Sequence, residues 1–273
     1  MKKIEPIDRH RLYEASVQSV DTHLDFVERV YKKSHGHRPQ RLREDFCGTA
    51  KLACEWVLRH SKNRAWGIDV DKPTLEWGSA HHLADFGAKA KRVQLIHDNV
   101  LSVDTPHVDV TVAFNFSYWV FKQRTVLKEY FKNVTRSLKP GGIFVLDLFG
   151  GFNAMQTYTE KRMISSMRDA HGQRIPRFKY MWEQKSFNAI THEILCYIHF
   201  KLPDGSMIKK AYTYDWRLWT IPEIRETLLE AGFSSVDTYM HGWTKEGECD
   251  EVYRCRTFFK NEKGWLSFIV GKK

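Results

Sequence analysis

The stretch Leu42-Arg43-Glu44-Asp45-Phe46-Cys47-Gly48-Thr49-Ala50, with Gly67-Ile68-Asp69 a short helix further on, constrains this chain more than any other. A strand that ends in a tight turn, then a helix, then an acid at the tip of a second strand is the arrangement that holds an adenosine group. The turn brings bare backbone close to the ligand, and the carboxylate accepts both ribose hydroxyls. Three glycines in such a turn suit a dinucleotide; here Gly48 stands alone. Arg43, Glu44 and Asp45 crowd the end of a strand that should be apolar. Buried, they must be paired or bind something; at a late, solvated strand edge they need neither.

Around this stretch the chain alternates short apolar segments with amphipathic ones. Strands are predicted at Arg64–Asp69, Arg92–Asp98, Val108–Phe114 and Gly142–Phe149, the last two as near-continuous apolar runs of buried parallel strands. Leu52, Ala53, Trp56 and Val57 share one helical face. Val126, Leu127, Tyr130, Phe131, Val134 and Leu138 make a longer stripe, stopped by Pro140-Gly141-Gly142. Asp21 is the expected N-cap of a helix reaching about Tyr31. Such alternation means a doubly wound α/β sheet with ligands at the carboxyl ends of the strands.

From Phe178 to Trp219 the pattern changes. Leu195–Leu202 and Met207–Trp219 flank Pro203-Asp204-Gly205-Ser206, which predicts a β-hairpin, and Phe178–Gln184 supplies a further strand. Tyr180, Trp182, Tyr197, Tyr212, Tyr214, Trp216 and Trp219 fall here, either as good strand formers with one buried face or as the lining of a pocket. Thr220-Ile221-Pro222-Glu223 has the capping-box spacing and opens a helix ending at Gly232; Ser235–His241 and Trp265–Gly271 are the last strands. The organisation expected is one domain over 1–273: a helical cap at 1–40, a cofactor-binding half at 41–151, an aromatic-rich β insert or lid at 152–219, and a C-terminal helix with two strands at 220–273.

Composition narrows the class. No apolar run in the 273 residues approaches a membrane span, the N-terminus has no signal-peptide core, and the five cysteines show no metal-site or disulfide spacing. A reduced, cytoplasmic setting without a metal is the expectation. The formal charge of +10 admits nucleic acid as a partner, but lysines and arginines are spread without a basic run, as on a solvated surface.

Cys47-Gly48-Thr49-Ala50, Gly67-Ile68-Asp69, His97-Asp98-Asn99 and Leu138-Lys139-Pro140-Gly141-Gly142 come in an order and spacing that resembles the class I S-adenosylmethionine-dependent methyltransferases, of a bacterial small-molecule type. The resemblance covers about Tyr13 to Gly151 well and the rest more loosely. It implies a seven-stranded Rossmann-like sheet, order 3-2-1-4-5-7-6 with strand 7 antiparallel, and a small antiparallel β insert after strand 5. S-adenosylmethionine has no pyrophosphate, which explains how one glycine suffices. Phe46 stands where the family has its first glycine, which implies either a negative φ there or a ring packed beside the cofactor. Ala50 stands in place of the third.

Carried over residue by residue, the resemblance gives Asp69 the ribose hydroxyls and Asp98 the adenine amino group, with Val70, Asn99 and Val100 framing the ring. Phe46, Cys47, Gly48 and Thr49 form the cofactor turn, and Glu44 is the acid that opens it. Arg43 either pairs with Glu44 or attracts the methionyl carboxylate. Asn115 and Phe116 lie near the methionyl part, and Tyr13 or Gln18 covers the cofactor from the N-terminal segment.

The acceptor is less defined. Asn115-Phe116-Ser117-Tyr118 partly resembles the Asn-Pro-Pro-Tyr of amino-methylating relatives, without the prolines. A neutral amine needs only a desolvated pocket, whereas a hydroxyl needs a base; base candidates are His97, Asp147, Tyr214 and His241, of which His97 fits a packed histidine better. Tyr118, Trp119, Trp182, Tyr214 and Trp216 are candidate acceptor contacts through cation–π attraction, with Arg217 to orient a charged acceptor. The reading is methyl transfer by in-line displacement to a nitrogen or oxygen of a small molecule, by a monomer or homodimer with no membrane partner. An RNA or other macromolecular acceptor, and a non-catalytic S-adenosylmethionine-binding protein, are the alternatives.

Overall fold

A computed structural model describes residues 8–169, 172–244 and 249–273. The chain forms two compact units, one of them Ser19–Phe152 with Trp219–Lys273, the other Asn153–Leu218 with the described residues up to Gln18.

The larger unit is built on β1 (Arg41–Asp45), β2 (Arg64–Asp69), β3 (Val93–His97), β4 (Val108–Ala113) and β5 (Leu138–Gly150), all parallel in the order 3-2-1-4-5. Every residue of β4 is buried, as its β-branched run requires of a central strand. Strands from the C-terminal stretch complete the sheet: Trp265–Lys272 antiparallel to β5, and Ser235–Met240 antiparallel to that. The predicted seven-strand order with its antiparallel seventh member is therefore present. A two-residue edge strand at Arg254–Cys255 makes eight.

Two local expectations need correction. The first N-terminal helix of this unit, Val20–His35, begins at Ser19 rather than Asp21, which places Asp21 in the first turn, where a carboxylate suits the helix dipole. The helix before β5, Arg124–Ser137, stops ahead of Pro140, and β5 starts at Leu138 and runs through the Pro-Gly pair. The strand absorbs it as a register shift against β4, with Gly141 at φ +74°. The capping box at Thr220 and Glu223 is formed, the Thr220 N–H donating to the Glu223 carboxylate at 2.9 Å. Among the described residues no helix is long and apolar enough to cross a membrane.

The smaller unit carries the helix Arg9–Ser16 and a sheet of four antiparallel strands: β6 (Tyr158–Ile164), then, after the short pair β7 (Met167–Arg168) and β8 (Arg174–Ile175), β9 (Phe178–Phe187), β10 (Glu193–Lys201) and β11 (Met207–Arg217). β10 and β11 are the predicted hairpin and β9 the predicted third strand. β6 is the edge strand that the sequence hid, because exposed Thr159, Glu160, Lys161 and Arg162 interrupt any apolar alternation. Leu12, Phe178, Tyr180, Ile198 and Phe200 form this unit's core. We number the remaining strands of the large sheet β12 (Ser235–Met240), β13 (Arg254–Cys255) and β14 (Trp265–Lys272), and the helices α1 (Arg9–Ser16), α2 (Val20–His35), α3 (Lys51–Arg59), α4 (Lys72–Gly78), α5 (Arg124–Ser137) and α6 (Ile221–Glu230).

Candidate active site

Backbone strain marks the carboxyl ends of two neighbouring strands. After β1, Phe46, Gly48 and Ala50 have φ of +56°, +54° and +57°; after β4, Asn115 and Phe116 have +57° and +59°. Side chains other than glycine enter this region only at a cost, and such residues cluster where geometry serves function. Of the two alternatives for Phe46, the negative φ is thus overturned. Its ring lies 5.6 Å from that of Tyr130 and 5.8 Å from that of Phe121, and this packing holds the left-handed turn.

Three hydrogen bonds fix the turn. The Ala50 N–H donates to the Cys47 carbonyl at 2.8 Å, the Cys47 N–H to the Ile68 carbonyl at 3.0 Å, and the Gly48 N–H to Asp69 at 2.8 Å. The other Asp69 oxygen accepts the Asp71 N–H at 2.9 Å. Asp69 is half-buried, so each oxygen keeps a lone pair for a further donor. Cys47 is buried and its thiol is pushed well above the usual range, first by burial and then by Glu44, Asp69 and Asp45. Thr49 is buried beside it.

Glu44 explains why the turn can do without glycines. α3 begins after Ala50, which has no capping side chain, and the Glu44 carboxylate fills that role from β1 by accepting the Ala53 N–H at 2.9 Å. In a dinucleotide site this helix N-terminus receives a phosphate. Here the protein's own carboxylate occupies it. Burial pushes Glu44 up to about 8, with repulsion from Asp69 and Asp45 adding to the effect. The Asp69 carboxylate, joined by Glu44 whenever that group ionises, repels a polyanion and favours a cation.

Arg43 points to the other face of β1 and is fully buried. Its Nε donates to Asp45 at 2.6 Å and its Nη2 to Asn133 at 3.1 Å, while the Tyr130 hydroxyl donates to Asp45 at 2.9 Å. Arg43 therefore pairs with Asp45 rather than Glu44 and is no solvated edge residue; its buried Nη1 has no hydrogen-bond partner among the described residues.

At the end of β4 the left-handed pair is clamped by β5. The two Asp147 carboxylate oxygens accept the N–H groups of Asn115, at 2.8 Å, and Phe116, at 2.9 Å. Burial raises Asp147 to about 7, against the downward pull of these donors. Both Asp147 oxygens accept backbone donors, so Asp147 holds the Asn115–Phe116 pair in place, alongside its candidacy as a base. The Tyr118 hydroxyl donates to the Asp147 carbonyl at 2.9 Å, so Tyr118, fully buried, is a strut of β5 rather than an acceptor contact. Trp119 is also fully buried, its ring 5.5 Å from Phe116 and 4.7 Å from Phe149.

The remaining candidates divide between the units. Past β3, Asp98 and Asn99 are exposed and cap their own turn, Asp98 accepting the Asn99 N–H at 2.6 Å; Val100 is buried. Val70 is 63% exposed, leaving an apolar surface next to Asp69, and its carbonyl lies 3.0 Å from His97 Nε2. His241, past β12, is buried with Nδ1 3.0 Å from the Gly242 carbonyl. In the smaller unit, Tyr214 stands 4.2 Å from Trp216 and 5.8 Å from Trp182, ring to ring, while Tyr13 lies 4.6 Å from Tyr212. Burial, followed by Tyr13, holds the Tyr214 phenol well above its usual range, so it stays protonated and is no base at neutral pH. The buried Gln18 Oε1 has no hydrogen-bond partner among the described residues. Arg217 ends β11.

Sequence reasoning missed three supports. Asp71 and Thr74 brace the acid, the Thr74 hydroxyl donating to Asp71 at 2.8 Å, and Gly78 lets α4 approach the turn. An isolated glycine in a helical pattern was the available signal for the last.

Residues 47–144 match the family model described as a methyltransferase domain. No curated protein matches the chain. Among solved structures it is similar to an S-adenosylmethionine-dependent methyltransferase from Clostridium acetobutylicum ATCC 824, at 15% identity over 96% of each chain, TM-score 0.64. It is also similar to S-adenosylmethionine-bound CalS10, an amino pentose methyltransferase from Micromonospora echinaspora involved in calicheamicin biosynthesis, at 12% identity over 100% of each chain, TM-score 0.68. The sugar N-methyltransferase KedS8 from Streptoalloteichus sp ATCC 53650 matches at 13% identity, over 98% of this chain and 93% of that one, TM-score 0.65. Residues 47–144 thus carry the match to a methyltransferase domain, and the chain shares the fold of these solved S-adenosylmethionine-dependent methyltransferases.

Proposed function

We propose that the chain transfers a methyl group to a nitrogen of a small molecule. The observation that carries the cofactor half of this reading is Glu44 on the N-terminus of α3: with Asp69 it makes a turn suited to a sulfonium and an ammonium, and unsuited to a pyrophosphate. Asp69 would accept the ribose hydroxyls and Asp98 the adenine amino group. Val70, Asn99 and Val100 would frame the ring, and Asn115 and Phe116 border the methionyl part. When bound, S-adenosylmethionine supplies a methyl group already made electrophilic by its positive sulfur.

The chain's own work is then to orient the acceptor in line and exclude water. Nitrogen is favoured over oxygen because three of the four candidate bases are tied to other groups or held neutral, His241, with Nδ1 on the Gly242 carbonyl, being the fourth. Asp147 accepts two backbone donors, His97 Nε2 sits on the Val70 carbonyl, and the Tyr214 phenol is held neutral. A neutral amine needs no such base. Trp182, Tyr214 and Trp216 offer π faces to a cationic amine. The amino pentose and sugar N-methyltransferases among the similar structures support an amine acceptor. S-adenosylhomocysteine release from a panel of amino sugars, simple amines, phenols and sugars is the test. Turnover confined to amines is expected, and turnover of hydroxyl acceptors alone would overturn the reading.

A further inference from the structure

The glycine missing from the cofactor turn reappears on α4, the second helix after it. A side chain at Gly48 would meet nothing closer than Thr74 Cγ2 at 4.0 Å, so Gly48 is needed for its φ and not for space. Gly78 is the reverse. It ends α4 with ordinary helical φ, yet a Cβ there would stand 2.7 Å from the Thr49 carbonyl carbon and 3.0 Å from its Cα, and would overlap the carbonyl oxygen. Close packing of helix on turn, which the third glycine of a dinucleotide fingerprint allows from inside the turn, is here supplied from outside.

α4 touches the turn at both of its ends. At its start, Asp71 donates its N–H to Asp69 and accepts the Thr74 hydroxyl, and Thr74 faces Gly48. At its end Gly78 lies on Thr49. Beyond it the helix widens into one π-helical turn, Ser79–Leu83, secured by the stack of Trp77 on His81 at 3.9 Å and 9°; such widenings are frequent at functional sites.

We infer that Gly78 is a positioning residue for the cofactor: it seats α4 on the Thr49 carbonyl and so fixes the Gly48 N–H on Asp69. This rests on the reading that the turn holds S-adenosylmethionine. Any side chain at 78 must push α4 and the Thr49 backbone apart, while alanine, a better helix former than glycine, leaves α4 itself no weaker.

The test is calorimetric titration of S-adenosylhomocysteine into the native protein, Gly78→Ala and the exposed-neighbour control Ser79→Ala, with thermal melts of each. Expected are about tenfold weaker binding by Gly78→Ala, a KM for S-adenosylmethionine raised by a similar factor, kcat at saturation within about twofold, and native behaviour of Ser79→Ala. If Gly78→Ala does not fold, Thr74→Ser, which keeps the hydroxyl and removes the methyl facing Gly48, carries the test with about threefold weaker binding expected. Binding by the folded variant within about twofold of native, or kcat falling as much as KM rises, overturns the inference. Failure of the native protein to bind overturns the function reading and the inference with it.

Discussion

The Gly48 N–H and the Asp69 carboxylate, 2.8 Å apart, tie the cofactor turn to the tip of the neighbouring strand. The same carboxylate is thus a brace for the turn and, in the proposed function, an acceptor for the ribose. Asp69→Asn keeps the size but turns an amide N–H toward Gly48 or Asp71, each of which is itself a donor. Binding of S-adenosylhomocysteine should weaken about tenfold to a hundredfold, as loss of hydrogen bonds to a charged group implies, measured by calorimetry.

Glu44 should report cofactor charge. Burial holds it up to about 8, so it is largely protonated at pH 7, and an arriving cation pulls it toward ionisation. S-adenosylmethionine binding at pH 7 should therefore release a proton, seen as a binding heat that varies with the ionisation enthalpy of the buffer. Glu44→Gln should abolish that variation.

The pH dependence of stability follows from the same burial. Asp147 is raised to about 7 in the fold, above the ordinary range of an unfolded aspartate, so the native state holds its proton more tightly. Its contribution is full below about pH 4 and is lost as pH rises through about 7, each tenfold difference in proton affinity between the folded and unfolded chain being worth roughly 1.4 kcal/mol. Urea unfolding at pH 5 and pH 8 should show native protein losing stability with pH, and Asp147→Asn losing less. Cofactor binding by this variant should be weaker at both pH values, because one backbone donor of the Asn115–Phe116 pair is left facing an amide N–H.

Arg43→Ala should be among the most damaging single changes outside the turn. It strands Asp45 in the core with only the Tyr130 hydroxyl, and breaking a buried pair in this way costs about 3–5 kcal/mol. Joint replacement by Arg43→Met and Asp45→Leu should cost markedly less, as read from urea midpoints.

Much of this was legible in the chain. Sheet order, the aromatic hairpin and the capping box at Thr220 follow from periodicity, turn chemistry and family resemblance, and the structure bears them out. What escaped was the set of three-dimensional substitutions. Alternation along a strand puts Arg43 and Asp45 on one face and Glu44 on the other, but nothing local tells that both faces are buried, so that Arg43 must find its partner there. Likewise, the left-handed Phe46 contradicts its own propensity because Tyr130 and Phe121, far along the chain, hold its ring. Edge strand β6 was invisible for the opposite reason, being too polar to show a period.

The central claim, that an acidic turn has replaced a glycine-rich one to select a cationic cofactor, is tested most directly by titrating the native protein with S-adenosylmethionine and with NAD under the same conditions. Saturable one-site binding of S-adenosylmethionine and none of NAD is expected; binding of NAD, or no binding of S-adenosylmethionine, would overturn it.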